Sequence, residues 1–392
     1  MGEQTRGIRR FGMHLRSIRE ARKLSLDAVE ELASSYREQV TKSHLSRIEN
    51  GQAEPSFRRM FTLGRIYGVS VTSLSEQYEL DLERETLPAA GNKMAPAEML
   101  AEAHQLKQSG DYISALGLYE MLLECAPSVC PDMTPDESRV QLALNKATCL
   151  LQSGHYEAAR EESELVLDLK GATPHQQRVA FHLLAMSAHH KGRLEIAAVL
   201  LERAALIDSD ANGEESLVAG IMMSKGNIEG AREKWESAAV CFERAAALYG
   251  EQSLKFDRCR ARRNLAAAYM ARGKRKKARE ILGEVIAQAK KEGYEKQLAL
   301  ALGDMAIIAW KDGDDPMVES YCRQSNTIAR PRDYLSLVFR NCFYLWKVAE
   351  KTGNTAAMKI NLRTLKSYAA RVDSSLPEWK EFNECLTGGG SC

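Results

Sequence analysis

An internal repeat constrains this chain more than any other feature of its sequence. From about residue 97 onward, seven segments share one plan: a helix, a short turn that often contains glycine, and a second helix. Successive turns are 44, 38, 41, 40, 40 and 40 residues apart, at Gly110, Gly154, Gly192, Glu233, Gly273, Gly313 and Gly353. A period of this length predicts a stack of helix pairs rather than one closed core.

Small residues recur at two fixed positions around these turns. The position five residues after the turn holds Ala115, Ala159, Ala197, Ala238, Ala278, Val318 and Met358. The position seven residues before it holds Ala103, Ala147, Ala185, Gly226, Ala266, Ala306 and Trp346. Because the distance between packed helices depends on the side chains at their contact, these positions predict close crossings.

The segments resemble the tetratricopeptide repeat, and the one around Gly273 (NLAAAYMARGKRKKAREILGEVI) is the clearest. Their period near 40 exceeds the roughly 34 residues of the minimal repeat, which indicates extended helices or connections. The resemblance implies an all-α fold in which residues 97–386 form a solenoid of about seven helix pairs. It also implies that the first helix of each pair lines a concave face and that the last pair acts as a cap.

Residues 1–80 have a different organisation, in which five short helices each carry one apolar stripe. The first 25 residues hold seven basic and two acidic side chains, whereas the whole chain has a formal net charge of only +1. A nearly neutral chain does not bind nucleic acid through its overall charge. Any contact with DNA must therefore come from a local patch such as this one.

The stretch from Phe11 to Tyr78 resembles the Cro-repressor, or xenobiotic-response-element, family of helix-turn-helix DNA-binding domains. The resemblance is carried by LSRIENG at Leu45–Gly51, followed by Pro55 and Ser56. It implies that the third helix enters the major groove with its N-terminal residues facing the bases. The link Ser34–Val40 is about two residues longer than the usual turn of the family.

Matching positions in the family imply a set of DNA contacts. Ser43 and Arg47 are four residues apart, which places them on one helix face, while Leu45 and Ile48 point toward the core. Base-facing positions are Lys42, Ser43 and Arg47. Phosphate contacts are expected from Thr41, which also caps the helix, and from Ser46, Asn50, Arg16 and Arg19.

Polar residues on the first helices of the repeats are candidates for binding a ligand. In tetratricopeptide proteins that hold extended peptides, an asparagine nine residues before the turn bonds the peptide backbone, and arginines there could bind a carboxylate. The candidates are Asn145, Arg260, Arg263, Asn264, Asp304, Arg340, Tyr344 and Lys347. These residues could instead solvate an open surface or contact a second subunit.

Residues 81–96, with Pro88, Gly91 and Pro96, predict a linker, and residues 387–392 predict a flexible tail. Nine scattered cysteines without a CxxC pair indicate reduced thiols and a cytoplasmic protein. No apolar run approaches the roughly 20 residues of a membrane helix. The adjacent His189 and His190 lack metal-site spacing, so neither a metal nor another cofactor is expected.

A Cro-like domain joined to tetratricopeptide repeats resembles, in architecture, the peptide-sensing transcription regulators. The resemblance implies a homodimer that binds double-stranded DNA and whose repeats sense a peptide or protein ligand. The alternative is a scaffold protein whose helix-turn-helix domain serves assembly rather than DNA readout. No catalytic motif is present in the sequence, so an enzyme is not expected.

Overall fold

The computed structural model describes residues 8–85, 94–207, 215–374 and 376–387. These ranges contain twenty α-helices and no strand, which confirms the all-α fold. The chain divides into two compact units, one up to residue 212 and one from residue 213. Residues 86–93 of the expected linker and 388–392 of the expected tail lie outside the described residues.

Five helices form the N-terminal head, defined here as residues 8–85. They are α1 (Ile8–Ala21), α2 (Leu26–Ala33), α3 (Lys42–Glu49), α4 (Phe57–Tyr67) and α5 (Val71–Glu85). Ser25, Thr41 and Ser56 cap α2, α3 and α4 with their side-chain oxygens. The apolar faces enclose a core that includes Phe11, Leu15, Val29, Leu45, Ile48, Leu63 and Tyr67.

The long link between α2 and α3 is held by the rest of the head. Val40 is buried in the core, and Thr62 Oγ1 donates a hydrogen bond of 3.3 Å to the carbonyl oxygen of Glu38. Helix α1 also packs closely on the end of α3. A Cβ atom at Gly12 would lie only 2.3 Å from the carbonyl oxygen of Ile48, so no side chain fits there. The extra residues therefore form an ordered part of the motif.

Three helix pairs follow the head in the first unit. They are α6 (Pro96–Ser109) with α7 (Tyr112–Cys125), α8 (Pro135–Gln152) with α9 (Tyr156–Asp168), and α10 (Pro174–His190) with α11 (Leu194–Leu206). Helix α5 continues five residues beyond the predicted boundary at residue 80 and packs on α7 and α9. Leu80 is fully buried in the core of these repeats, so the head and the first two pairs share apolar packing.

Four helix pairs and one further helix make up the second unit. The pairs are α12 (Glu215–Ala231) with α13 (Trp235–Glu251), α14 (Lys255–Ala271) with α15 (Arg275–Glu292), α16 (Glu295–Asp312) with α17 (Asp315–Ala329), and α18 (Leu335–Lys351) with α19 (Thr355–Tyr368). The sequence analysis did not predict the last helix, α20 (Pro377–Thr387). It packs on α18 through Phe382, whose ring centroid lies 5.8 Å from that of Phe339.

The turns within the pairs lie at the seven predicted positions, and every one has a positive φ. The values run from 61° at Glu233 to 93° at Gly154. The alanines predicted at both crossing positions have no exposed surface. At Gly226 the approach leaves no room for a side chain, because a Cβ atom there would lie 2.6 Å from the ring of Phe242. Small residues therefore set how closely the paired helices pack.

The first helices of successive pairs contact one another in both units. Helix α8 packs against α10 in the first unit, and α14 against α16 and α16 against α18 in the second. Within each unit the first helices therefore lie on the shorter side of the stack, where the resemblance places the concave face.

Other findings concern membrane spans and cysteines. None of the described helices is both long and apolar enough to cross a membrane. All eight cysteines in the described ranges are free thiols.

Glu233 is the one turn residue of the seven pairs that is not glycine, and its left-handed backbone is costly for an L-residue. We expect Glu233→Gly to stabilise the protein by about 1 kcal/mol, because glycine has no Cβ atom to clash in this conformation. Thermal unfolding measures the change. Lys234→Gly is the matched control, since its φ of −83° gives glycine no advantage. Equal destabilisation by both variants would contradict the expectation.

Candidate DNA-binding face and repeat groove

Helix α3 presents a polar face to solvent. Lys42, Ser43, Arg47 and Asn50 are exposed, whereas Leu45 and Ile48 are fully buried. The N-cap hydroxyl of Thr41 accepts a hydrogen bond of 3.3 Å from the backbone N–H of His44. The N-terminal turn of α3 therefore carries hydrogen-bond donors on a helix that the core of the head holds in place. Such a helix can read base edges in a major groove.

A buried ion pair fixes the other end of α3 to α1. Arg19 Nε and Nη2 donate to the two carboxylate oxygens of Glu49 at 2.7 and 2.8 Å, and Arg19 Nη1 donates to the carbonyl oxygen of Leu24 at 2.9 Å. The hydrogen bond to Glu49 is the main reason that the pKa of Arg19 is raised. Arg19 is expected to contact a phosphate, but in the structure the residue is only 8% exposed and its Nε, Nη1 and Nη2 atoms each donate within the head.

Two further cations near α3 have partners of their own. Arg16 Nε pairs with Glu20 one turn along α1, at 2.9 Å, and its side chain remains exposed. Lys42 Nζ lies 2.7 Å from Asp27 Oδ1 on α2, and this hydrogen bond raises the pKa of Lys42. The contact of Lys42 with Asp27 is not evident from the sequence. In the structure the carboxylate of Asp27 competes with any phosphate or base for Lys42.

In the second unit, Asp304 is the centre of a buried polar network, with 4% of its surface exposed. Its Oδ2 lies 3.3 Å from Arg263 Nη1, and its Oδ1 lies 3.0 Å from Arg340 Nη2. The three residues stand on α14, α16 and α18, the first helices of successive pairs. The structure therefore brings together residues that the repeat positions had placed on one face.

Asparagines extend this network along the first helices. Arg263 Nη2 donates to Asn264 Oδ1 at 2.9 Å, and Asn264 Nδ2 donates to Asn227 Oδ1 on α12 at 3.0 Å. Asn227 was missed by the sequence analysis, although it stands 37 residues before Asn264, close to one repeat period. The repeat register does not select it, because the position 40 residues before Asn264 is Ser224.

The network has unused capacity for a negatively charged or carbonyl-bearing group. Two arginines face one aspartate, so the local formal charge is positive. The Nε atoms of Arg263 and Arg340 are buried and have no acceptor in the described part of the chain. A buried guanidinium donor gains most from a charged acceptor such as a carboxylate. A peptide carbonyl oxygen can also accept its hydrogen bond.

The other candidates are not part of this network. Tyr344 OH lies 3.1 Å from Glu378 Oε1, and Lys347 Nζ lies 3.0 Å from Glu381 Oε1. The two glutamates belong to α20. A ligand at Tyr344 or Lys347 would therefore have to displace these contacts with α20. Burial, followed by the charge of Glu378, raises the pKa of Tyr344.

Two candidates remain outside the second-unit network for different reasons. Arg260 Nη2 pairs with Asp257 on its own helix at 3.0 Å. Asn145 lies in the first unit, where its Oδ1 accepts a hydrogen bond of 2.8 Å from Lys107 Nζ. Burial lowers the pKa of Lys107.

Comparisons with known proteins agree with this architecture. Residues 10–77 match the family model described as a helix-turn-helix domain. No curated protein sequence matches the chain. The chain therefore carries a helix-turn-helix domain, and its remaining helices form repeats of the tetratricopeptide type, as the solved structures below also indicate.

Three solved structures have a similar fold at low sequence identity. The apo form of RapI is 14% identical with a TM-score of 0.58, and the match covers 75% of this chain and 81% of that one. A Rap protein complexed with Competence and Sporulation Factor is 13% identical with a TM-score of 0.55, over 75% and 79% of the two chains. NprR in complex with its cognate peptide NprX is 13% identical with a TM-score of 0.51, over 74% and 82%.

Loss of Arg19 should destabilise the head, because Arg19 joins α1 to α3. We expect Arg19→Met to destabilise the head by roughly 3 kcal/mol, because Glu49 would remain buried without its charged partner. Arg16→Met is the matched control, since it removes an equal charge from the exposed side of α1. Hydrogen exchange of the amides of α1 and α3 measures the difference. Equal protection in the two variants would show that the buried pair contributes nothing.

Proposed function

We propose that this protein is a cytoplasmic, sequence-specific DNA-binding transcriptional regulator whose repeats form a homodimer and bind a peptide or protein ligand. The observation that carries the proposal is the exposed polar face of α3 on a head that matches a helix-turn-helix domain. Two solved structures of similar fold, those of NprR and a Rap protein, are complexes with NprX and with Competence and Sporulation Factor. These complexes support a ligand-binding role for the repeats.

The head reads DNA through α3. Arg47 and Lys42 donate to guanine O6 and N7, Ser43 contacts the neighbouring base, and Thr41, Ser46, Asn50 and Arg16 position the head on phosphates. Lys42 exchanges its contact with Asp27 for DNA, which an exposed ion pair permits because solvent already screens it. In a homodimer, two such helices separated by about 34 Å fit an inverted repeat.

The repeats bind their ligand at the network around Asp304. Asn264 bonds the backbone of an extended peptide, and the Nε donors of Arg263 and Arg340 take a carboxylate or a carbonyl oxygen. The ligand shifts the equilibrium between two arrangements of the heads. The size of that shift is set by how much more tightly the ligand binds one arrangement than the other. A free C-terminus or an acidic side chain is the group that best matches the local positive charge.

One observation favours the alternative of a scaffold protein. Because α5 is packed on α7 and α9, the head also serves as an extension of the repeat stack. A pure scaffold retains no DNA sequence selectively. Selection of genomic fragments on the purified full chain separates the two functions, since a regulator enriches a common site and a scaffold enriches none.

Arg47→Ala should weaken binding to the selected DNA site by roughly 1–3 kcal/mol and relax one base preference, because one bidentate base contact is lost. Arg65→Ala removes the same charge from α4 and serves as the control. Competition binding at fixed salt against single-base variants of the site measures both effects. Unchanged affinity and base preference in Arg47→Ala would remove Arg47 from the readout.

Asn264→Ala should abolish retention of peptides while sparing DNA binding. We would present a library of short linear peptides with free C-termini to the full chain and sequence those that are retained. Arg260→Ala is the control, because its ion pair with Asp257 lies outside the network. Retention of the same peptides by Asn264→Ala and by the unmodified protein would reject the groove assignment, as would retention of none by either.

A further inference from the structure

One carboxylate of the head makes hydrogen bonds with the repeats of the first unit. Glu76, on α5, accepts hydrogen bonds through its Oε2 from the backbone N–H groups of Glu157 at 2.8 Å and Ala158 at 3.2 Å. These two N–H groups belong to the first turn of α9, the second helix of the second pair. The N-cap residue of α9, His155, makes no side-chain capping bond. Glu76 therefore supplies the cap of α9 from outside the repeats.

The same carboxylate also contacts the third helix pair. Glu76 Oε1 lies 3.0 Å from Nζ of Lys191, the residue that ends α10. Glu76 thus bridges the start of α9 and the end of α10 with its two oxygens. The second and third pairs are in addition linked directly, because Arg193 Nη2 lies 3.4 Å and Lys191 Nζ lies 4.0 Å from Glu157 Oε1.

We propose that Glu76 ties the orientation of the head to the angle between the second and third helix pairs. The inference rests on the proposed function, for which it supplies a route from the repeats to the DNA-binding face. Both contacts of Glu76 are charge-assisted hydrogen bonds, which require short distances and defined directions. If α9 and α10 rotate relative to each other, one carboxylate cannot keep both contacts, and Glu76 loses one of its two attachments.

Other contacts between the head and the repeats are made with the first and second pairs. Ser73 Oγ donates to Glu161 Oε1 on α9 at 2.6 Å, and Leu80 packs within the core of the first two pairs. Arg10 on α1 pairs with Glu120 on α7. Glu76 differs from these because it reaches the third pair as well. It is therefore a positioning residue for the proposed DNA readout, not a DNA contact.

The attachment does not cover the recognition helix. Lys42, Ser43 and Arg47 are exposed while Glu76 holds α5 on the repeats. The docked head is therefore free to engage DNA, and the contact sets its orientation rather than hiding it. A change in the angle between the second and third helix pairs would turn the exposed face of α3. In a dimer with two heads, such a turn would change how well the heads fit two half-sites of DNA.

The test measures head orientation in the full chain by single-molecule energy transfer between dyes at Glu31 on α2 and Gln105 on α6, both exposed. The unmodified protein should give one narrow distribution. Glu76→Ala and Lys191→Met should broaden or shift it, because each removes the bridge to the third pair. Glu79→Ala and Arg193→Met should leave it unchanged: Glu79 is an exposed neighbour on α5, and Arg193 contacts Glu157 but has no contact with Glu76 in the described structure.

Amide hydrogen exchange separates the cap from the bridge. The amides of Glu157 and Ala158 should lose protection in Glu76→Ala and keep it in Lys191→Met, since only the first variant removes the acceptor. Glu76→Gln keeps an oxygen acceptor but loses its charge, so it should behave like Lys191→Met even if Glu76→Ala folds poorly. A narrow, unshifted distribution in both Lys191→Met and Glu76→Gln would overturn the proposal, as would equal broadening in Arg193→Met.

Operator binding is measured separately on the unmodified protein. If that protein selects no DNA site but Lys191→Met still reorients the head and Arg193→Met does not, the proposed DNA function fails and the coupling stands. If DNA selection succeeds while Lys191→Met leaves the dye distribution unchanged, the coupling fails and the DNA function stands.

Discussion

The close approach of helices at residues without large side chains is the constraint on which the rest of this structure depends. At Gly226 even one methyl group would collide with Phe242, and the alanines at the other crossings are fully buried. Each pair is closed by a turn residue with positive φ, which lets the second helix return along the first. Because every pair repeats this geometry, polar residues at equivalent positions of the first helices come within hydrogen-bond distance of one another.

Two sites with different physical character follow from that scaffold. The face of α3 is exposed and rich in donors, and the buried pair of Arg19 with Glu49 holds it on α1. The network around Asp304 is buried, carries an excess of arginine, and retains guanidinium donors that have no acceptor among the described residues. An exposed donor face suits a partner as large and as highly charged as DNA. A desolvated network suits a small ligand that can enter a groove and replace water.

The head and the repeats are also mechanically joined in the first unit. Helix α5 contributes Leu80 to the core of the first two pairs, and Glu76 bridges the second and third pairs. A short linker was expected to separate two independent domains, and instead the last helix of the head packs on the repeats. Helix α5 is therefore in direct contact with the repeats of the first unit.

The sequence by itself determined the helix pairs, their turns, the five helices of the head and the exposed side of α3. These features are local: glycine and alanine at fixed spacing, caps such as Thr41, and the alternation of Leu45 and Ile48 with polar neighbours all act within a few residues. Tertiary structure alone decided which charges meet. Arg19 is drawn to Glu49 thirty residues away, Tyr344 and Lys347 to α20, and Glu76 to α9 and α10 more than eighty residues on. Such pairs depend on which helix faces are packed together, and a pattern of 3.6-residue period along one helix contains no information about its partner.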